Sequence, residues 1–215
     1  MDGSVADEKK NLRAILTDCR IAITPTCARA RSQEIARRIL AADFYRGASR
    51  VVLYASIDNE VWTDSLLADA LASRKTVMLP RYDRALHGFV AARVDAVEAL
   101  APGAFGILEP PADAPAAAPG ELKGALVCVP GVAFGPKGQR LGRGKGHYDR
   151  FLAESCAEAI TIGLAYSFQL LDRIPEDSFD RRLNLIVTES AVYRAADAPA
   201  HPHAAAGQGG TPGWL

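Results

Sequence analysis

The chain has 215 residues, 49% of them hydrophobic and 23% charged, so it has enough apolar material for a substantial core and is not broadly disordered. Its 25 basic and 25 acidic residues cancel to a formal net charge of zero, which removes the net basic surface that drives nucleic-acid affinity. Four scattered cysteines form no C-x-x-C pair, no stretch approaches the ~20 apolar residues of a membrane helix, and the charged first twenty residues do not suit a signal peptide. A cytoplasmic protein with reduced thiols and no membrane partner is therefore expected.

Leu12, Ile15 and Leu16 recur at helical spacing and predict a first helix from Asp7 to about Arg20. A second helix is expected from Cys27 to Tyr45, with Ile35, Ile39, Leu40 and Phe44 on one face and Gly47 as its stop. Residues 50–56 (RVVLYAS) read as a strand, and Trp62 to Ser73 as a helix capped by Thr63 or Asp64. Further strands are expected from Thr76 to Pro80, ended by the proline, and from Gly88 to Val94. Pro110 to Gly120, rich in Ala and Pro, reads as a surface loop. Beyond it come a buried strand at Ala125–Val129, a helix from Tyr148 to Ala159, and strands over Ala159–Ala165 and Leu183–Thr188. Residues 1–194 are read as one domain, and 195–215, made of Ala, Pro, Gly and His, as a disordered tail.

Apolar strands alternating with helices predict an α/β fold: an open, mostly parallel, doubly wound sheet with helices on both faces. Such sheets bind ligands in the crevice beyond the carboxyl ends of their strands. Three segments fall there: Ser56–Glu60, Pro130–Asp149 and Ala165–Asp180.

The second of these segments contains R-L-G-R-G-K-G-H-Y-D, from Arg140 to Asp149. Gly142, Gly144 and Gly146 alternate with Leu141, Arg143 and Lys145, which permits close backbone approach to a bulky ligand. Arg140, Arg143 and Lys145 supply cations, and a helix beginning near His147 supplies free N–H groups that favour anions. A di- or triphosphate suits all of these features. Neither of two familiar loops fits. A Walker loop requires Ser or Thr after the Gly-Lys and a glycine five positions before it, where this chain has Gly146 and Gln139. A dinucleotide fingerprint beginning at Gly142 requires a glycine at the position of His147. A flexible, solvated basic loop is the plainer alternative, disfavoured by the strand before the glycines and the helix after them.

P-G-V-A-F followed by G-Q-R-L-G-R-G-K-G-H-Y-D-R resembles the signature of the 5-formyltetrahydrofolate cyclo-ligases, also called 5,10-methenyltetrahydrofolate synthetases. Weaker segments resemble the same family in the same order: Lys9 to Arg13, Tyr54 to Thr63, Gly106 to Pro110, Gly163 to Tyr166 with Gln169, and Pro175 to Asp180 leading to Val187–Glu189. The resemblance implies that ATP and Mg²⁺ drive cyclisation of 5-formyltetrahydrofolate, a reduced folate, to 5,10-methenyltetrahydrofolate, with release of ADP and phosphate. Phosphorylating the formyl oxygen turns a poor leaving group into a good one, which leaves the protein to position the reactants and neutralise charge.

Arg140, Arg143 and Lys145 are the candidate phosphate contacts, with Arg143 and Lys145 catalytic through the charge they would neutralise; the resemblance adds Lys9, Arg13 and the run Leu141, Gly142, Arg143, Gly144, Lys145, Gly146, His147 and Tyr148 to the ATP contacts. By the same resemblance Glu60 and the stretch Arg143, Gly144, Lys145, Gly146 and His147 face the folate, and Asp149 and Asp180 hold the metal. Each position also has a plainer role. Lys9 and Arg13 share one helix face that would serve equally as a solvated surface. Asp149 suits a helix's first turn, Asp180 a turn after Pro175, and Glu60 a solvated loop. The sequence departs from the family pattern twice: His147 stands where a tyrosine is usual and Phe179 where a histidine often precedes the aspartate. A monomer is expected. Competing readings are a sugar-phosphate isomerase or CoA-transferase-like enzyme on a similar sheet, or a non-catalytic nucleotide- or folate-binding module.

Overall fold

A computed structural model describes residues 4–195. The chain opens with helix α1 (Val5–Ile21), whose N-terminus is capped by Ser4 Oγ accepting from the Asp7 N–H and carries Asp7 and Glu8 in its first turn. Thr24 caps α2 (Pro25–Leu40) in the same way, with Pro25 in the first turn, where a missing N–H costs nothing.

The expected continuous helix to Tyr45 is broken. Ala42 takes up extended backbone (φ −87°, ψ 143°), and a separate short helix α3 (Asp43–Arg46) follows. The break turns Tyr45 into the core, where its hydroxyl donates to Asp69 Oδ1 at 2.6 Å, and tertiary contact overrides the apolar periodicity.

Strand β1 (Arg50–Val52) is shorter than expected. Leu53 N–H makes one more bond, to Met78 O, and the chain then leaves the sheet. Helix α4 (Asp64–Ala72) begins at Thr63, but no side chain caps it, because the Thr63 hydroxyl donates to the Tyr54 carbonyl instead.

Strand β2 (Thr76–Asp83) runs through Pro80 rather than ending there, paired antiparallel with β3 (Gly88–Val94). Met78 directs its carbonyl at β1, so Pro80, two residues on, directs its nitrogen to the same edge. There β1 has already ended and no ladder bond is lost.

Two short strands, β4 (Ala101–Pro102) and β5 (Leu108–Glu109), form a separate ribbon, and the expected 110–120 loop contains no helix or named strand. Then come β6 (Leu126–Val129) and a second ribbon of β7 (Ala133–Phe134) and β8 (Arg140–Leu141). Helix α5 (His147–Ser155), β9 (Ile160–Leu164), β10 (Leu185–Val187) and β11 (Val192–Arg194) complete the fold. Of the expected tail only Ala195 is described, and its N–H donates to Asn184 O; residues 196–215 lie outside the described residues.

The strands form one seven-stranded sheet in the order β11-β10-β9-β6-β1-β2-β3. The five central strands are parallel, and the two edge strands antiparallel. Alternate residues of each strand face opposite sides. Val51, Leu126 and Cys128 pack with α2 and α4, while Val52, Val127 and Val129 pack with Phe151 and Leu152 of α5. The mostly parallel α/β sheet with helices on both faces is thus as expected. Chain order reverses between β1 and β6, so the crevice above their carboxyl ends is the switch point where such sheets bind ligands. No described helix is long and apolar enough to cross a membrane.

Candidate active site

Three loops meet at that crevice: the turn after β1, the long segment after β6, and the segment after β9. Between β8 and α5 the glycine loop stands free of the sheet. Gly144 (φ 93°) and Gly146 (φ 68°) lie in the left-handed region, which a side chain would strain, and a Cβ on Gly144 would press within 3.3 Å of the Arg13 guanidinium. The loop therefore needs bare glycine at both positions. Gly146 also begins α5, and no side chain caps that helix, so its first N–H groups remain available to a ligand.

The loop divides two cavities. The first, about 630 Å³, is lined by Glu60, Arg140, Arg143, Lys145, His147 and Tyr148, among others. The second, a more open groove of about 810 Å³, is lined by Lys9, Arg13, Leu141, Phe179 and Asp180, among others. Gly142, Gly144, Gly146 and Asp149 line both. The glycine backbone is thus a shared wall, with its two cationic side chains on the first side and the α1 cations on the second.

In the first cavity Glu60 is only 7% exposed and accepts from Arg143 Nη2 at 2.9 Å and Nε at 3.3 Å. Arg143 also donates to Asp58 at 2.9 Å. Burial works to lower the Arg143 pKa, but Glu60 and Asp58 override it and raise it overall. Burial first, and the Glu60 charge second, hold the phenols of Tyr54 and Tyr148 above their ordinary range, so both remain protonated donors.

Arg140 is buried rather than solvated. It donates to Asp149 Oδ1 at 2.8 Å and to the Pro130 carbonyl at 3.3 Å, with its guanidinium 5.7 Å from the Tyr148 ring centre. This ties the start of α5 to the end of β6.

His147 meets Tyr82 and Phe89 edge-on, with ring centres 5.4 and 5.6 Å away. Burial, then the charges of Lys145 and Arg150, lower its pKa from the ordinary value near 6.5. An NMR titration is expected to place the His147 midpoint below 6.5, with the ring neutral at pH 7. The unfolded chain then binds more protons, so this histidine's contribution to stability is full above pH 6.5 and shrinks as pH falls through the folded midpoint. A midpoint at or above 6.5 would contradict the packing described here.

In the second groove Lys9, 5% exposed, donates to Asp177 at 2.8 Å and to Asp180. Burial works against the charged lysine, but the two aspartates raise its pKa overall; Lys9 in turn holds Asp177 below the usual carboxylate range. Arg13 Nε donates to the Gly142 carbonyl at 2.8 Å, pinning α1 to the glycine loop. Phe179 is 81% exposed at the groove's edge, its N–H turned to Asp177 Oδ1. Asp149 and Asp180 both border this groove, paired with Arg140 and Lys9 respectively.

Every residue singled out in the sequence therefore lines one cavity or the other. The matching segments included Tyr54, Asp58 and Asp177 but gave them no role, and they did not reach Arg20. Asp58 and Asn59 take positive φ (49° and 54°), a conformation that an Asp-Asn pair after a strand foreshadows. Arg20 carries no local signal beyond its place on the stripe of α1 that includes Arg13.

Fold and site together define an open α/β protein with two cavities across one glycine loop. The model of the 5-formyltetrahydrofolate cyclo-ligase family matches residues 5–189. The chain is 26% identical over 197 residues to the 5-formyltetrahydrofolate cyclo-ligase of Mus musculus, covering 87% of this chain and 97% of the mouse protein. It is 31% identical over 180 residues to that of Escherichia coli strain K12, covering 81% and 96%. The solved structure of Aquifex aeolicus 5,10-methenyltetrahydrofolate synthetase superposes with a TM-score of 0.78 and 32% identity, over 92% of this chain and 99% of that one. The chain belongs to the 5-formyltetrahydrofolate cyclo-ligase family. That membership displaces the isomerase and transferase alternatives.

Proposed function

We propose that the protein uses ATP and Mg²⁺ to cyclise 5-formyltetrahydrofolate to 5,10-methenyltetrahydrofolate, releasing ADP and phosphate. One observation carries this reading: a glycine wall shared by two cavities, with Arg143 and Lys145 on one side and Lys9 and Arg13 on the other. A reaction that moves a phosphoryl group from one bound molecule to another needs two sites side by side, with cations at their shared boundary.

The folate takes the first cavity, whose volume is in the range of ordinary ligand sites. Glu60 accepts the paired N–H donors of the pterin, and His147 and Tyr148 offer ring surfaces. ATP takes the second groove, its phosphates directed at Lys9, Arg13, the N–H groups of Gly142–Gly146 and the start of α5. The formyl oxygen attacks the γ-phosphorus and the bond to ADP breaks. N10 then attacks the formyl carbon, phosphate leaves with the former formyl oxygen, and N10 loses its proton. Arg143 and Lys145 stand where the negative charge of the transferring group develops. Arg140 fixes Asp149 and the start of α5.

Asp149 and Asp180 suit Mg²⁺: both are hard oxygen donors at the groove, and the ion needs only one or two carboxylates beside phosphate oxygens and water. When bound, the ion would neutralise phosphate charge. Lys9, now engaged with Asp177 and Asp180, is the cation that would exchange them for phosphate oxygens. The protein acts as a cytoplasmic monomer without a nucleic-acid partner; its zero net charge supports the last of these.

Purified protein mixed with 5-formyltetrahydrofolate, ATP and Mg²⁺ is expected to form the methenyl product, followed by its near-ultraviolet absorbance. Absence of product, or equal product when ATP is omitted, would overturn the assignment.

A further inference from the structure

Arg20 is the most deeply buried charge in the described molecule that the mechanism leaves unused. It lies in the last turn of α1 and is 1% exposed. Its Nη1 sits 3.7 Å from Glu60 Oε1 and donates to the Gly131 carbonyl at 3.5 Å; its Nε has no partner among the described residues. So sparsely bonded a guanidinium is a poor device for stability, since taking a charge out of water costs several kcal/mol. Burial lowers its pKa, against the attraction of Glu60.

The contrast with Arg143 gives it a purpose. Both cations face Glu60, but Arg143 is 44% exposed, rides on the free-standing glycine loop and is shared with Asp58. An anionic ligand at the loop competes directly for Arg143. Arg20 is held from behind, on the helix whose last turn and following bend receive the Asn59 side-chain amide through the Arg20 and Ile23 carbonyls at 3.3 and 2.9 Å. The Glu60 turn is therefore anchored to the same helix end that carries its permanent counter-ion.

We propose that Arg20 is a positioning residue, which keeps the buried Glu60 carboxylate compensated and aimed into the first cavity when Arg143 leaves it for the reacting phosphoryl group. Glu60 then has one exchangeable partner and one fixed partner, and the fixed one lets the same carboxylate serve the folate before and during phosphoryl transfer. This inference rests on the reading that Glu60 accepts the pterin donors.

The test is direct binding of 5-formyltetrahydrofolate and, separately, of ATP to the full chain, for R20Q, R20K and E60Q. R20Q keeps a polar amide donor on the side chain but removes the charge. It is expected to weaken folate binding about tenfold or more, with ATP affinity within about twofold. R20K keeps the charge and is expected to recover most of the folate affinity. Wild-type folate binding by R20Q, or equal losses in R20Q and R20K, overturns the proposal, as does an R20Q protein that fails to fold, because Arg20 would then be structural. E60Q separates the two levels. If it binds folate as the wild type does, the Glu60 reading itself falls. If it loses folate while R20Q does not, only the role of Arg20 falls.

Discussion

Replacing Lys145 with alanine is expected to lower kcat for methenyl formation by about 10²–10³-fold, the loss typical when one preorganised charge at a developing anion is removed. Lys145 is exposed and lies between Gly144 and Gly146, whose left-handed backbone sets the shape of the loop without help from the lysine. Its truncation alters an exposed side chain, and stability should stay within about 0.5 kcal/mol of wild type. The loss should fall more on kcat than on the folate KM, because the charge the amine would meet develops as the phosphoryl group passes. Steady-state kinetics with each substrate varied in turn, together with a denaturation curve, make the check. An unchanged kcat would remove Lys145 from the chemistry and leave Arg143 as the cation in charge.

The second large effect is expected on affinity. Glu60→Gln keeps an acceptor oxygen but turns an amide N–H₂ toward a ligand that itself presents donors. Losing a hydrogen bond to a charged group costs about 1.5–3 kcal/mol, so the KM for 5-formyltetrahydrofolate should rise at least tenfold while that for ATP changes little. The same change leaves the buried Arg20 without its carboxylate, and a fall in stability of roughly 3–5 kcal/mol should accompany it. A double variant, Glu60→Gln with Arg20→Met, should regain stability but not folate affinity. If the single variant keeps wild-type folate KM, Glu60 is not the pterin's acceptor.

The architecture was legible because its signals are local. The apolar runs at 126–129, 160–164 and 185–187 contrast with the amphipathic spacing of α1 and α2, and strand–helix alternation then favours a parallel sheet. Where the reading failed, a distant contact decided the outcome. Ala42 has no propensity to stop a helix, and the break there serves Tyr45, whose partner Asp69 lies 24 residues on. Pro80 reads as a strand end, yet the early exit of β1 makes it harmless, which only the assembled sheet reveals.

The site shows the same division. The glycine loop is compact in sequence and was read directly, but its two-sidedness depends on α1 and the 177–180 segment closing on it from elsewhere. The Lys9–Asp180 contact spans 171 residues and Arg143–Glu60 spans 83. Arg140 illustrates the cost of reading a loop as uniform: it belongs to β8, and burial gives it a bracing task that its exposed neighbours do not share.

Lys9, Arg13 and Arg20 lie four and seven residues apart, within about 40° of one another around α1 at 100° per residue. One reaches the Asp177–Asp180 turn, one the glycine wall, and one the carboxylate at the far side. At 1.5 Å per residue the outer two are separated by roughly 16 Å of rigid rod. Helix α1 is thus a ruler laid across both cavities, and its phase and length set how far apart its three cations are held. One residue inserted between Arg13 and Arg20 would keep every functional side chain and still turn Arg20 away from Glu60. A helix that looks like an N-terminal appendage is therefore constrained in its register as tightly as the loop it crosses.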